Sequence, residues 1–180
     1  MSAALSDPTI DYPQPDLPVD IEHFRRGMRR LTGAVNLVTT THEGILHGLT
    51  ATAVCSLSGE PPRLLACVNV SGKTFEYILQ SRRMGINVLA YRHLELARRF
   101  ANMTDIGFER RFADAEWVSR PSGAPVLNDA LVTFDCIVDE IIVTPSHGVI
   151  IGEIKYVGFG PEGEPLLYNN GNFTTVRADA

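Results

Sequence analysis

Gly48-Leu49-Thr50-Ala51-Thr52-Ala53-Val54-Cys55-Ser56-Leu57-Ser58, followed by Pro61-Pro62, is where the architecture of this chain becomes readable. The run sets small residues and hydroxyls on a strand end and a tight loop, and the double proline then forces a turn. A backbone with so little side-chain bulk lets a planar, phosphorylated ligand come close, and its hydroxyls and free N–H groups suit such a ligand. A β-hairpin with a small-residue edge is the alternative reading of the same residues.

Upstream of this run, Asp20 reads as an N-cap, with Ile21, Phe24, Met28 and Leu31 on one helical face, Arg25, Arg26, Arg29 and Arg30 opposite, and Gly33 as the stop. Ala34 to Thr41 is rich in Val and Thr, His42-Glu43-Gly44 turns the chain, and Ile45 to Val54 returns as a second strand. Downstream, Arg63 to Val70 is almost continuously apolar and is expected to be buried on both faces. A helix from Thr74 to Ser81 turns Phe75, Ile78 and Leu79 inward, a strand covers Met84 to Ala90, and a helix from His93 to Asn102 buries Leu94, Ala97 and Phe100. Residues Met103 to Pro125 predict an irregular excursion carrying Phe108, Phe112 and Trp117. Ala130 to Val143 and Val149 to Phe159 form an antiparallel pair, Gly160-Pro161-Glu162-Gly163 turns, and Leu166 to Tyr168 closes the sheet. Short strands with three modest helices, outside βαβ alternation, predict a mainly β fold: an antiparallel barrel with peripheral helices. Residues 1–18, with four prolines, read as a flexible N-terminal arm, and 19–180 as one domain.

Composition narrows the function. At 180 residues the chain holds one sizeable core. A net charge of -5 and basic residues spread over helix faces argue against nucleic-acid binding. No apolar run reaches the roughly 20 residues that a membrane span needs. Three cysteines without CxxC spacing and without a signal peptide read as buried free thiols in a reducing compartment, so a soluble cytoplasmic protein is expected. No metal-ligand spacing is visible.

Three further constellations carry chemistry. Asn69-Val70-Ser71-Gly72-Lys73-Thr74 stands at a strand end that opens into a helix, where N–H groups, hydroxyls and an ammonium group suit a phosphate. The same residues read equally as a capped helix start with Lys73 in solvent. His147, in Pro145-Ser146-His147-Gly148, lies between two strands and can reach a barrel mouth or simply face water. In Leu167-Tyr168-Asn169-Asn170-Gly171-Asn172-Phe173, Tyr168 or Phe173 could lie against a ring face or serve as ordinary aromatic anchors.

The order of these segments, with Ala34 to Thr40, Cys67-Val68-Asn69, Ile86 to Leu89, Phe100-Ala101, Glu109 to Phe112, Phe134-Asp135-Cys136 and His147, resembles the short-chain flavin reductases of the 4-hydroxyphenylacetate monooxygenase type from about Asp20 to Val176. The resemblance implies an FMN-binding split β-barrel, a homodimer, and reduction of FMN or FAD by NADH or NADPH for a partner monooxygenase. It implies that Thr50, Ala51, Thr52, Ala53 and Ser56 line the flavin, and that Asn69, Ser71, Lys73 and Thr74 hold its phosphate. Phe100, Ala101 and Phe173 would border the same site, and His147 would stand beside the nicotinamide as the catalytic candidate. Ser146 occupies the position where the family usually has an acid. Two other readings stay open: a flavoprotein that keeps its FMN and passes electrons to a cobalt corrinoid or metal chelate, and a non-enzymatic electron carrier.

Overall fold

Asp20 caps the first helix, α1 (Ile21–Met28), its carboxylate accepting the His23 N–H at 3.0 Å. The computed structural model describes residues 19–176, so the expected arm at 1–18 lies outside the described residues. The helix stops at Met28, short of the expected Leu31, because Arg30 and Leu31 close tight turns onto Gly27 and Met28. Gly33 does not end the helix; it opens a short strand, β1 (Gly33–Ala34).

Next come β2 (Asn36–His42), β3 (Ile45–Ala51), β4 (Val54–Gly59) and β5 (Pro62–Asn69), then α2 (Lys73–Ser81) and β6 (Arg83–Val88). The chain continues through α3 (Leu94–Phe100), β7 (Trp117–Ser119), β8 (Pro125–Leu127), β9 (Val132–Val143), β10 (His147–Phe159), β11 (Leu167–Asn169) and β12 (Asn172–Thr174). Seven strands form one antiparallel sheet in the order β3-β2-β6-β9-β10-β5-β4. The β2–β3 hairpin turns at Glu43-Gly44 with φ of 50° and 79°, the left-handed pair that a two-residue hairpin requires.

The sheet does not close by hydrogen bonding, since β3 and β4 remain its two edges. Thr52-Ala53 carries the chain from one edge to the other, and there the Cys67 N–H donates to the Ala53 carbonyl at 2.9 Å. The small-residue run is thus the seam of a split barrel. It is two strands and a crossing, not the single strand to Val54 that its pattern predicts.

One core fills the curled sheet beneath α2, around Val38, Val68, Phe75, Ile78, Met84 and Ile150. A second lies under α3 around Leu37, Leu89, Phe100, Leu127 and Leu166. Asn87 joins the main sheet to β8, its side-chain amide donating to Leu37 O at 3.0 Å while its side-chain carbonyl accepts the Leu127 N–H at 2.6 Å.

Several expectations are corrected. Burial alternates along β5, so one face is deeply packed and the other only half covered. Leu79 is exposed at the end of α2, and Cys55 is exposed because β4 is an edge strand. The Leu167–Asn169 strand joins a separate three-stranded sheet, β1-β11-β12, instead of the main one. Among the described residues nothing covers the apolar face of α1, where Ile21, Phe24 and Met28 are exposed, as is Leu31 just beyond the helix. Among the described residues, no helix is long and apolar enough to cross a membrane.

Candidate functional site

The end of β3, the end of α3 and the β11–β12 hairpin enclose a cleft of ≈ 190 Å³. Its walls are Thr50, Ala51 and Thr52 on one side, Ala101 and Met103 on another, and the aromatic rings of Tyr168 and Phe173, with Val35 completing the lining. Those two rings meet edge to face, with centroids 5.2 Å apart. The arrangement offers small side chains and exposed backbone across from aromatic surface, which fits a flat heteroaromatic ring.

Local sequence explains each wall. The Asn36 side-chain amide donates to Ala34 O at 2.9 Å and to Ala51 O at 3.4 Å, which joins the strand before the cleft to the strand forming it. Thr50 turns its hydroxyl away from a ligand and donates it to Ala97 O in α3. Gly48 serves packing: a Cβ there would stand 2.9 Å from Phe100 Cε1 and 3.0 Å from Val38 O. α3 ends in a left-handed residue, Asn102, at φ 59°. The Asn102 N–H then donates to Arg99 O and the Met103 N–H to Arg98 O, the paired bonds of a Schellman motif.

Phe100 does not border the cleft. It is 1% exposed and lies in the α3 core against Phe112 and Trp117, at centroid distances of 4.9 and 5.8 Å. Helix periodicity put Phe100 inward, and that assignment governs its place.

The expected phosphate loop lies along the same seam. From Cys67, bonded to Ala53, two strand residues lead to Asn69, roughly 7 Å farther on. Asn69 Oδ1 accepts from the Ser71 N–H at 2.9 Å and the Ser71 hydroxyl at 2.7 Å. Gly72 caps α2 without a side-chain bond, so the N–H groups of its first turn are free of one. Lys73 is not simply in solvent; Nζ lies 2.7 Å from Glu76 Oε2, and that carboxylate raises the lysine pKa. Thr74 is buried and Ser56 is exposed on the edge strand, so neither joins the cleft.

His147 pairs directly with Asn69 across β10 and β5. It is exposed beside the loop that follows Asn69 rather than in the cleft, and its Nδ1 lies 2.9 Å from Ser146 Oγ. The structure therefore gathers Thr50, Ala51, Thr52, Ala101 and Phe173 into one cleft, and sets Asn69, Ser71 and His147 together at the end of β5, with Lys73 following at the start of α2 and paired to Glu76. Ala53 lies on the seam between them. Val35 and Met103 were missed. Asn102 was the available signal for Met103, since an asparagine after a helical run marks a left-handed cap.

Residues 28–177 match the flavin reductase-like domain. The chain belongs to that family. The match spans nearly the whole described length of this flavin reductase-like chain. It is 37% identical over 160 residues to FMN reductase (NADH) RutF of Methylorubrum extorquens, covering 89% of this chain and 77% of the relative. It is 36% identical over 157 residues to the reductase component of 4-hydroxyphenylacetate 3-monooxygenase of Salmonella dublin, covering 87% and 92%. Among solved structures, the NADH:FAD oxidoreductase SgcE6 of Streptomyces globisporus C-1027, in complex with NAD and FAD fragments, superposes with a TM-score of 0.80 at 26% identity, covering 89% of this chain and 95% of that one. The split barrel of the family is the architecture described above.

Proposed function

We propose that this chain is an NAD(P)H:flavin oxidoreductase that reduces FMN or FAD and supplies the reduced flavin to a partner monooxygenase. The observation that carries the reading is the cleft itself, where a small-residue strand end faces two aromatic rings at the seam of the barrel. The names of the relatives agree with it: one an NADH-dependent FMN reductase, another a monooxygenase reductase component.

A flavin fits these residues. Thr50, Ala51 and Thr52 present backbone and short side chains to the ring, and Tyr168 and Phe173 bound it on the far side. Asn69, Ser71, Lys73 and the first turn of α2 would hold the phosphate, together offering hydroxyls, N–H groups and one cation. When bound, the flavin supplies the hydride-accepting ring, and the chain needs no acid–base machinery of its own for that step. His147, across from Asn69, would orient the nicotinamide amide by hydrogen bonding.

A cleft of ≈ 190 Å³ is small beside the roughly 300–1,000 Å³ of most ligand pockets, so one chain encloses only part of such a ligand. The apolar face of α1 is exposed among the described residues. Both features support a homodimer in which the second copy completes the site, and sedimentation equilibrium tests it.

The deciding assay is NADH or NADPH consumption with and without added FMN or FAD. Flavin-dependent turnover over many cycles is expected; folded protein with no flavin-stimulated oxidation would end the proposal. His147→Ala should raise KM for the dinucleotide more than Kd for flavin, and equal losses would remove His147 from the nicotinamide side.

A further inference from the structure

One side-chain bond, made by neither Ala101 nor Met103, meets the turn that carries both residues into the wall of the cleft. α3 ends in the Schellman turn at Asn102, and Ala101 and Met103, the residues on either side of it, both line the cleft. The side chain of Asn102 points elsewhere: its Oδ1 accepts a hydrogen bond from Arg111 Nη2. Arg111 lies nine residues farther along, within the excursion that begins at Met103, so this bond closes a loop whose first residue is the cleft-lining Met103.

Arg111 is an unusual residue to spend on a loop closure. It is only 8% exposed, its guanidinium lies 4.4 Å over the Phe108 ring, and its Nε has no hydrogen-bond partner. Burial accordingly lowers its pKa. Burying a cation in this way is costly, whereas a neutral donor would close the loop without that cost. What the guanidinium adds is a rigid planar donor, seated on an aromatic face, that fixes direction as well as distance.

Building on the flavin-reductase reading, we infer that Arg111 is a positioning residue for flavin: through Asn102 it sets where Ala101 and Met103 stand against the ring. Thr50 is the matching anchor on the other side, since its hydroxyl holds Ala97 one turn earlier in α3. The cleft is therefore framed by two bonds onto α3, one to the body of the helix and one to its terminal turn. The second is the adjustable one, because it acts at a left-handed residue where the chain leaves the helix.

Substitutions at Asn102 separate this role from loop stability. Asn102→Asp keeps an acceptor for Arg111 and tolerates the left-handed conformation. Asn102→Gly keeps the conformation and removes the acceptor. Arg111→Met keeps much of the packing over Phe108 and removes the donors. Flavin affinity is read from quenching of FMN fluorescence on titration with protein. Asn102→Gly and Arg111→Met should each weaken FMN binding about tenfold, as expected for loss of a hydrogen bond to a charged group. The double variant should be no worse than either single one, and Asn102→Asp should bind within about twofold of the parent. At saturating flavin, kcat should change far less than KM for flavin.

A second readout needs no flavin. The chain has four methionines, and the methyl resonance of Met103, assigned by Met103→Leu, reports the wall directly. It should move in Asn102→Gly and Arg111→Met and stay in place in Asn102→Asp, while that of buried Met84 is unchanged. Asn102→Gly binding FMN as the parent does, or Asn102→Asp as impaired as Asn102→Gly, would overturn the inference. A Met103 methyl indifferent to all three variants would overturn it too. A parent chain that binds no FMN would end the functional reading, and the Met103 resonance would still decide whether Arg111 sets the wall.

Discussion

The hydroxyl of Thr50 donates to the carbonyl of Ala97 at 2.7 Å, tying the end of β3 to the middle of α3. The same carbonyl also accepts the Ala101 N–H at 3.0 Å. One oxygen thus joins a residue of the small-residue wall to the helix end that carries the opposite wall.

Thr50→Val keeps the shape and removes that bond. Because Ala97 O retains its helical partner, the expected loss is about 1 kcal/mol, with Tm falling by about 2–4 °C. FMN binding should weaken several-fold. A variant with unchanged Tm and unchanged flavin affinity would show that the two walls are held together by packing alone.

Gly48→Ala places a methyl 2.9 Å from Phe100 Cε1 and 3.0 Å from Val38 O. The ring and the backbone both resist displacement, so a loss of about 1–3 kcal/mol is expected in urea unfolding. Combining it with Phe100→Leu, which opens space, should cost less than the sum of the two single changes. Simple additivity would mean that the glycine is required for another reason.

His47 is 5% exposed between the rings of Tyr77 and Phe108, at centroid distances of 4.1 and 4.2 Å, and its Nδ1 has no partner. Burial lowers its pKa, with Arg111 and then Lys73 adding to the effect and Glu76 opposing it. The folded chain therefore binds fewer protons than the unfolded one below about pH 6.5. The contribution is present above that value and is lost as pH falls toward the depressed folded pKa. His47→Phe should flatten the fall in stability between neutral and mildly acidic pH, and an unchanged pH profile would rule out His47 as its source.

The three cysteines should react in order of exposure. Cys55 is exposed, Cys67 half-buried and Cys136 buried, and burial, followed by the Asp135 carboxylate, pushes the Cys136 thiol up to about 12. At mildly alkaline pH, alkylation followed by peptide mass analysis should modify Cys55 first and leave Cys136 intact until the chain unfolds. The sign of the shift also means that stability falls as pH rises above about 9, where the unfolded thiol ionises and the folded one does not. Rapid native modification of Cys136 would contradict its burial.

How far the sequence led can be seen residue by residue. The inward placement of Phe75, Ile78, Ala97 and Phe100 followed from helical spacing, and the β2–β3 hairpin from Glu43-Gly44, because these depend on near neighbours along the chain. Lys73 reads from sequence as a cation for phosphate, yet a carboxylate three residues on claims it, an i, i+3 pair that the sequence also carries. Arg111 could not be placed at all, since its partner is fixed only when the excursion folds back onto the end of α3.

The sequence by itself determined the element types, the mainly β class, the small-residue seam and, through resemblance, the family. Periodicity, turn chemistry and segment order are local or linear properties, and they survive without coordinates. Only the tertiary structure decided that Thr50–Thr52, Ala101–Met103 and Tyr168–Phe173 meet in one cleft, and that His147 stands beside Asn69 at the end of β5 instead. It also moved Phe100 from the expected ligand wall into the core behind that wall. The reason is physical: the cleft is made by chain segments far apart in sequence, the ends of β3 and α3 and the β11–β12 hairpin, brought together by strand register and by hydrogen bonds such as Thr50 to Ala97. Neither leaves a periodic mark in the sequence.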